Sequence, residues 1–132
     1  MAEKEKSEPR NALTALQEAI QEQSIEELAE IVKNVAREQI TVSTAVKALD
    51  VRKYEAPDSR YDTLFADIQV LSNTIRVTSD GATTPSATVG KAWYPAETYR
   101  VWGMENLRNI RFIRESADAT LIVDYWGREK IL

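Results

Sequence analysis

Residues 66–126 read ADIQVLSNTIRVTSDGATTPSATVGKAWYPAETYRVWGMENLRNIRFIRESADATLIVDYW, and this stretch decides the fold. Ile68 and Val70, then Ile75 and Val77, alternate with polar residues, the period-two mark of half-buried strands. Ser72-Asn73 between them suits a tight turn, because Asn tolerates positive φ. Asp80-Gly81 closes that pair with a second turn signal. Thr98 to Val101 is the next β-rich run, and Ile110, Phe112 and then Leu121, Val123, Tyr125 give two more alternating sets. Gly103 to Asn109 is a turn or a single helical turn, and Glu115 to Asp118 is a hairpin turn. The last strand runs from Ala119 to Trp126 and ends at Gly127.

Within this stretch, Gly81 to Ala92 is a small, polar connecting loop. It is not a phosphate-binding P-loop, since Gly90-Lys91 is followed by Ala92 and lacks the magnesium-binding hydroxyl. Trp93, Tyr94, Tyr99 and Trp102 crowd together. Alternation sets Tyr99 and Val101 on one face and Arg100 and Trp102 on the other, so a single strand cannot bury all four aromatics. Such clusters serve a core, a subunit contact or sugar stacking. Arg108, Arg111 and Arg114 recur three apart, but a strand places Arg111 and Arg114 on opposite faces. Salt-bridged surface roles fit them better than nucleic-acid binding.

The chain outside this stretch is different in character. Met1 to Pro9 is a charged tail. Asn11 to Glu22 has a helical apolar face of Leu13, Leu16 and Ile20. Ser24-Ile25-Glu26-Glu27 is a capping box, predicting a second helix with Leu28, Ile31, Val32 and Val35 on its apolar face. The two form one bent helix or, preferably, two helices broken at Gln23-Ser24. Residues 1–38 are therefore expected to be an acidic tail and amphipathic helical arm, and residues 39–132 a β module. The arm either folds back on that module or, as we favour, reaches another subunit, because the outer faces of a sandwich are polar. Ile40 to about Leu49 is expected as a strand. Val51 and Tyr54 offer a possible short strand, Ala56-Pro57-Asp58-Ser59 a turn, and Arg60 to Thr63 a loop.

Composition limits the chemistry. The 132 residues contain neither Cys nor His, so thiolate and imidazole metal sites, disulfides and the commonest general base are missing. No metal or cofactor is expected. Glu105, Asp118 and Asp124 have no spacing that selects them as a catalytic pair, and Asp67 and Asp80 lack a calcium-loop pattern. Catalysis is not expected. No apolar run reaches the length of a membrane span, and the polar N-terminus has no signal-peptide core. The net charge is −4, and up to Glu38 there are nine acidic and five basic residues. Beyond that point there are twelve of each. A field of this sign does not attract phosphate, so direct nucleic-acid binding is not expected.

The segments IRVTSDGATTPSATVG and NLRNIRFIRESADATLIVDYW resemble a β-sandwich module of small virion proteins of tailed bacteriophages. The resemblance is carried by Ile75, Arg76, Asp80, Gly81, Pro85, Thr88 and Gly90, by Arg111 to Arg114, and by Ala119, Thr120, Leu121, Val123 and Tyr125. It covers under half of the chain and omits the N-terminal third. It implies a structural protein of the virion, assembled in the host cytoplasm, with head or tail left open. The expected fold is mainly β: an antiparallel sandwich or jelly-roll-like module of about six to eight strands with an N-terminal amphipathic helical arm. The expected function is capsid decoration against the major capsid protein and other virion proteins, as a homo-oligomer. Leu13, Leu16, Ile20, Leu28, Ile31, Val32, Val35, Trp93, Tyr94 and Trp102 are the candidate contacts. A tail or fibre module that binds receptor glycans through Trp93, Tyr94 and Trp102, or a head-to-tail connector, is the alternative.

Overall fold

The computed structural model describes residues 32–130. Their order is β1 (Lys33–Val42), α1 (Val51–Tyr54), β2 (Tyr61–Val70), β3 (Ile75–Thr78), β4 (Lys91–Trp93), β5 (Thr98–Trp102), α2 (Met104–Asn109), β6 (Arg111–Arg114) and β7 (Ala119–Glu129). The fold is mainly β, with two antiparallel sheets and seven strands among the described residues. One sheet has the order β1-β7-β2-β5, the other β4-β3-β6.

Alternation places one face of each sheet in a shared core. Ile40 and Val42, Ala66, Ile68 and Val70, and Leu121, Val123 and Tyr125 come from the larger sheet. Ile75, Val77 and Phe112 come from the smaller one, and Leu107 of α2 with Tyr54 of α1 pack beside them. With Ile110, which follows α2, ten large side chains are fully buried or nearly so, each contributing roughly 1.5–3 kcal/mol.

The turns at Ser72-Asn73 and Glu115–Asp118 do not close hairpins. β2 pairs with β7 and β3 pairs with β6. One antiparallel ladder thus bends at a corner and continues from the first sheet into the second. Asn73 takes the expected positive φ of 57°. Its amide group donates to Asp118 O at 2.8 Å, and Glu115 N donates to Thr74 O at 3.2 Å, binding the two corners together. Sequence alternation is identical for strands that pair and strands that merely follow one another, which is why the corners read as hairpins.

Five further expectations are corrected. Lys33 to Glu38 is strand, not the end of a helix, and Val35 lies at a bulge of β1 packed against the module's own core. Long-range pairing with β7 overrides local helical spacing here. The alternation was hidden because the inward positions include Ala36 and Glu38. The Glu38 carboxylate accepts hydrogen bonds from the buried Tyr125 hydroxyl and, at 3.1 Å, from Asp50 N. The strand expected to reach Leu49 stops at Val42, because the chain crosses to the other sheet, where Lys47 N donates to Phe112 O at 2.8 Å. Val51–Tyr54 is a helical turn, its start capped by the Asp50 carboxylate at 3.0 Å from Arg52 N, and β2 already begins at Tyr61. Finally, β7 runs through Gly127 to Glu129. The expected helices over residues 11–22 and 25–31 lie outside the described residues.

Candidate functional site: an aromatic seam beside a charged sheet face

β4 and β5 are the edge strands of different sheets and are not hydrogen-bonded to each other. The turn Tyr94–Glu97 joins them, so the sheets part along a seam. A groove of about 340 Å³ follows it, lined among others by Lys91, Trp93, Arg100, Val101 and Trp102, with Asn106 of α2 at one end.

The four clustered aromatics divide as alternation requires. Trp93 and Tyr99 face inward and stack at 4.3 Å with an interplanar angle of 4°, and Trp93 also meets Phe112 at 6.0 Å. They plug the open edge of the core. The Tyr99 hydroxyl donates to Glu97 at 2.7 Å and accepts from Tyr94 N at 2.9 Å, which fixes the turn. Its pKa is raised, first by burial. Tyr94 and Trp102 instead remain 55% and 52% exposed, an unusual state for rings this large.

Register places Trp102 in an aromatic row on the outer face of the larger sheet. Phe65 stands opposite Trp102 on one side and Trp126 on the other. The ring centroids lie 4.5 Å and 6.4 Å apart. The next row holds Arg37, Asp124, Asp67 and Arg100 side by side across four strands. Arg37 clamps Asp124 at 2.6 and 3.1 Å, and Arg100 clamps Asp67 at 2.8 and 3.0 Å. Each arginine relieves one of two carboxylates that would otherwise repel across neighbouring strands. The Arg100 pKa is raised, first by its side-chain hydrogen bond to Asp67. Its guanidinium also sits 4.2 Å from the Phe65 ring centroid, tying the charged row to the aromatic one.

The other charged candidates are engaged structurally. Arg108 pairs with Glu55, and Arg114 with Asp118 at 2.7 Å. Arg111 donates to the carbonyls of Arg108 and Ile110 at 2.7 and 2.8 Å. Asp80 accepts from Ala82 N, Thr83 N and the Thr83 hydroxyl, chiefly the last, and this holds its carboxyl at about 2. Among the described residues no helix is long and apolar enough to cross a membrane.

Of the expected contact residues, the structure brings Trp93 and Trp102 to one groove, with Tyr94 in the adjoining turn. Val35 is half-buried against the core, and Val32 is buried just before β1. Leu13, Leu16, Ile20, Leu28 and Ile31 lie outside the described residues. Phe65, Trp126, Asp67, Asp124 and Arg37 were missed as partners, because only the pairing register brings them beside β5. Comparison with known protein families, with curated proteins and with solved structures finds no match for this chain.

Proposed function

We propose that this chain is a structural component of a tailed-phage particle, a capsid decoration or accessory protein that packs against neighbouring virion subunits. The observation that carries the packing role is the exposure of Tyr94 and Trp102 beside a rigid sheet edge. Exposed aromatics on a fixed scaffold are the usual anchors of protein contacts. Trp102 is held in place by Phe65 and framed by Arg100, so its contact costs little side-chain entropy on docking. The two-sheet body accords with the β module implied by the sequence resemblance, and that resemblance is the ground for proposing a virion. Many such contacts on a symmetric shell add by multivalency.

Sedimentation of the full chain with empty heads of a phage that carries this gene tests the reading. Saturable capture, weakened about tenfold or more by Trp102→Ala, is expected. Capture by tails alone supports the connector or fibre alternative. Loss of glycan-array binding on the same substitution supports a glycan-binding module, which the groove between Trp93 and Trp102 also fits. Recovery in the supernatant with heads and tails alike refutes the proposal.

A further inference from the structure

The larger sheet has two edge strands, β1 and β5. On β5, Trp102 O already accepts from Asn106 Nδ2 at 2.8 Å. In the smaller sheet, the β6 edge is covered by the chain's own backbone: Lys47 and Phe112 exchange hydrogen bonds at 2.8 and 2.9 Å, and Arg114 N donates to Ser43 O at 3.1 Å. β1 is the longest edge strand, and its backbone phase follows from the ladder. Leu71 N donates to Thr120 O at 2.9 Å, continuing the register of β2 on β7. In an antiparallel ladder, bonded pairs alternate with non-bonded pairs. Thr120, Ile122 and Asp124 therefore turn their backbone groups to β2, and Ala119, Leu121, Val123 and Tyr125 turn theirs to β1. The partners of the latter are Val42, Ile40, Glu38 and Ala36. The amides and carbonyls of Arg37, Gln39 and Thr41 point away from the sheet, and among the described residues they have no partner.

We propose that two copies of this chain join antiparallel along β1, on a twofold axis at Gln39, fusing their four-stranded sheets into one. Self-complementarity selects the occupant. The register of β1 breaks between Asn34 and Ala36 and the strand ends at Val42, so its regular part is residues 36–42, with Gln39 at the centre. Pairing this part with itself sets Arg37 against Thr41, Glu38 against Ile40 and Ala36 against Val42 of the second copy. Gln39 meets its own copy, and the two side-chain amides exchange hydrogen bonds. An axis at Arg37 or Glu38 instead brings like charges face to face, which is destabilising. Glu38 is charged and inward-facing, a usual guard of an open edge. Here its carboxylate is held within its own chain by the Tyr125 hydroxyl and Asp50 N, and in this register it faces no second carboxylate. The union makes about six backbone hydrogen bonds over ~24 Å. It covers less than the roughly 800 Å² per partner of a standard interface, so the dimer is weak, with a Kd of about 10–100 μM.

The dimer concerns the purified chain alone, so it stands whether or not phage heads capture the protein. Sedimentation equilibrium of the full chain, from about 5 μM to about 1 mM, reads it directly. The expected result is a reversible dimer, with the Arg37, Gln39 and Thr41 amides gaining protection from exchange as concentration rises. Gln39 is exposed, so its substitution leaves the core intact. Gln39→Glu and Gln39→Lys each place like charges on the axis and weaken self-association about tenfold. Mixed in equal amounts, the two variants set opposite charges there and form a heterodimer within about threefold of the wild-type affinity. Only a residue that meets its own copy gives this pattern. A wild-type chain that stays monomeric at about 1 mM overturns the proposal. So does a dimer that neither substitution weakens, since it forms through another surface. A mixture that fails to recover, with both variants folded by circular dichroism, also overturns it.

Discussion

Replacing Gly127 by Ala tests the central ladder. Gly127 sits on β7 opposite Thr63, where β2 carries a register shift between Thr63 and Phe65. A Cβ added there would stand 2.3 Å from Asp62 O and 2.9 Å from Asp62 C. Both are backbone atoms, so no side-chain rotation relieves the clash. Reaching an ordinary contact requires the strands to part by about 1 Å, against a normal spacing of about 4.8 Å. β2 cannot shift freely, because it is held on its other side by β5 and Thr63 is buried. Overpacking costs about 1–3 kcal/mol, and each lost ladder bond costs about 1 kcal/mol more. The expected total is about 3 kcal/mol, a fall in Tm of roughly 12–24 °C for a body of this size. Urea unfolding followed by tryptophan fluorescence measures it, with an unchanged slope confirming that stability alone has changed. Gly103→Ala isolates the other glycine effect: nothing lies within 4 Å of its Cβ, but its φ of 88° and ψ of 146° lie close to a backbone region essentially reserved for glycine, so strain alone, about 1–3 kcal/mol, is added without a clash. A Gly127→Ala cost below about 0.5 kcal/mol refutes the close approach and the β2–β7 register with it.

Two other perturbations follow from single side chains. Tyr125→Phe removes the donor to Glu38 and is expected to cost about 2 kcal/mol in urea unfolding at neutral pH. Burial, first, and Glu38, second, hold the Tyr125 phenol above its ordinary pKa. The folded state therefore keeps a proton that the unfolded chain releases above about pH 10. Wild-type stability should fall as pH rises through that point, by up to about 1.4 kcal/mol per unit from this group, and Tyr125→Phe should lack that component. An identical alkaline slope in both proteins contradicts the assignment. Asp80, held at about 2, contributes above the ordinary aspartate range and loses its contribution as pH falls from about 4 towards 2. NMR titration should place its midpoint there, and Asp80→Ala should raise amide exchange at Ala82 and Thr83. Unchanged exchange rates would falsify its role as the loop's anchor.

Strand identity was legible from Leu64 onward because alternation there has long apolar partners: Ile68 and Val70, Ile75 and Val77, Leu121 to Tyr125. Pairing was not legible. Ser72-Asn73 is correct turn chemistry in either a hairpin or a corner, and only the long-range pairing of β2 with β7 and of β3 with β6 distinguishes them. β1 was misjudged at Val35, which satisfies helical spacing with Val32 and strand burial with Ala36. Its inward Glu38 is explained by a tyrosine far along the chain. Gly127 looked like a terminator because a glycine required by a neighbouring backbone has the same letter as one required by a turn. At the site, the division of Tyr99 from Trp102 followed from alternation along β5, whereas the inward position of Trp93 is set by its pairing opposite Ile75. The charged row followed from nothing local, since Arg37, Asp67, Arg100 and Asp124 meet only through register.

The copy number of this chain in purified phage particles tests the account most directly. Under the proposed virion role, quantitative mass spectrometry of particles of a phage encoding the chain should find a fixed number per particle, in keeping with a symmetric shell or ring and unchanged by repeated washing. A chain abundant in infected cells but missing from purified particles, or present only in traces that wash away, contradicts the account.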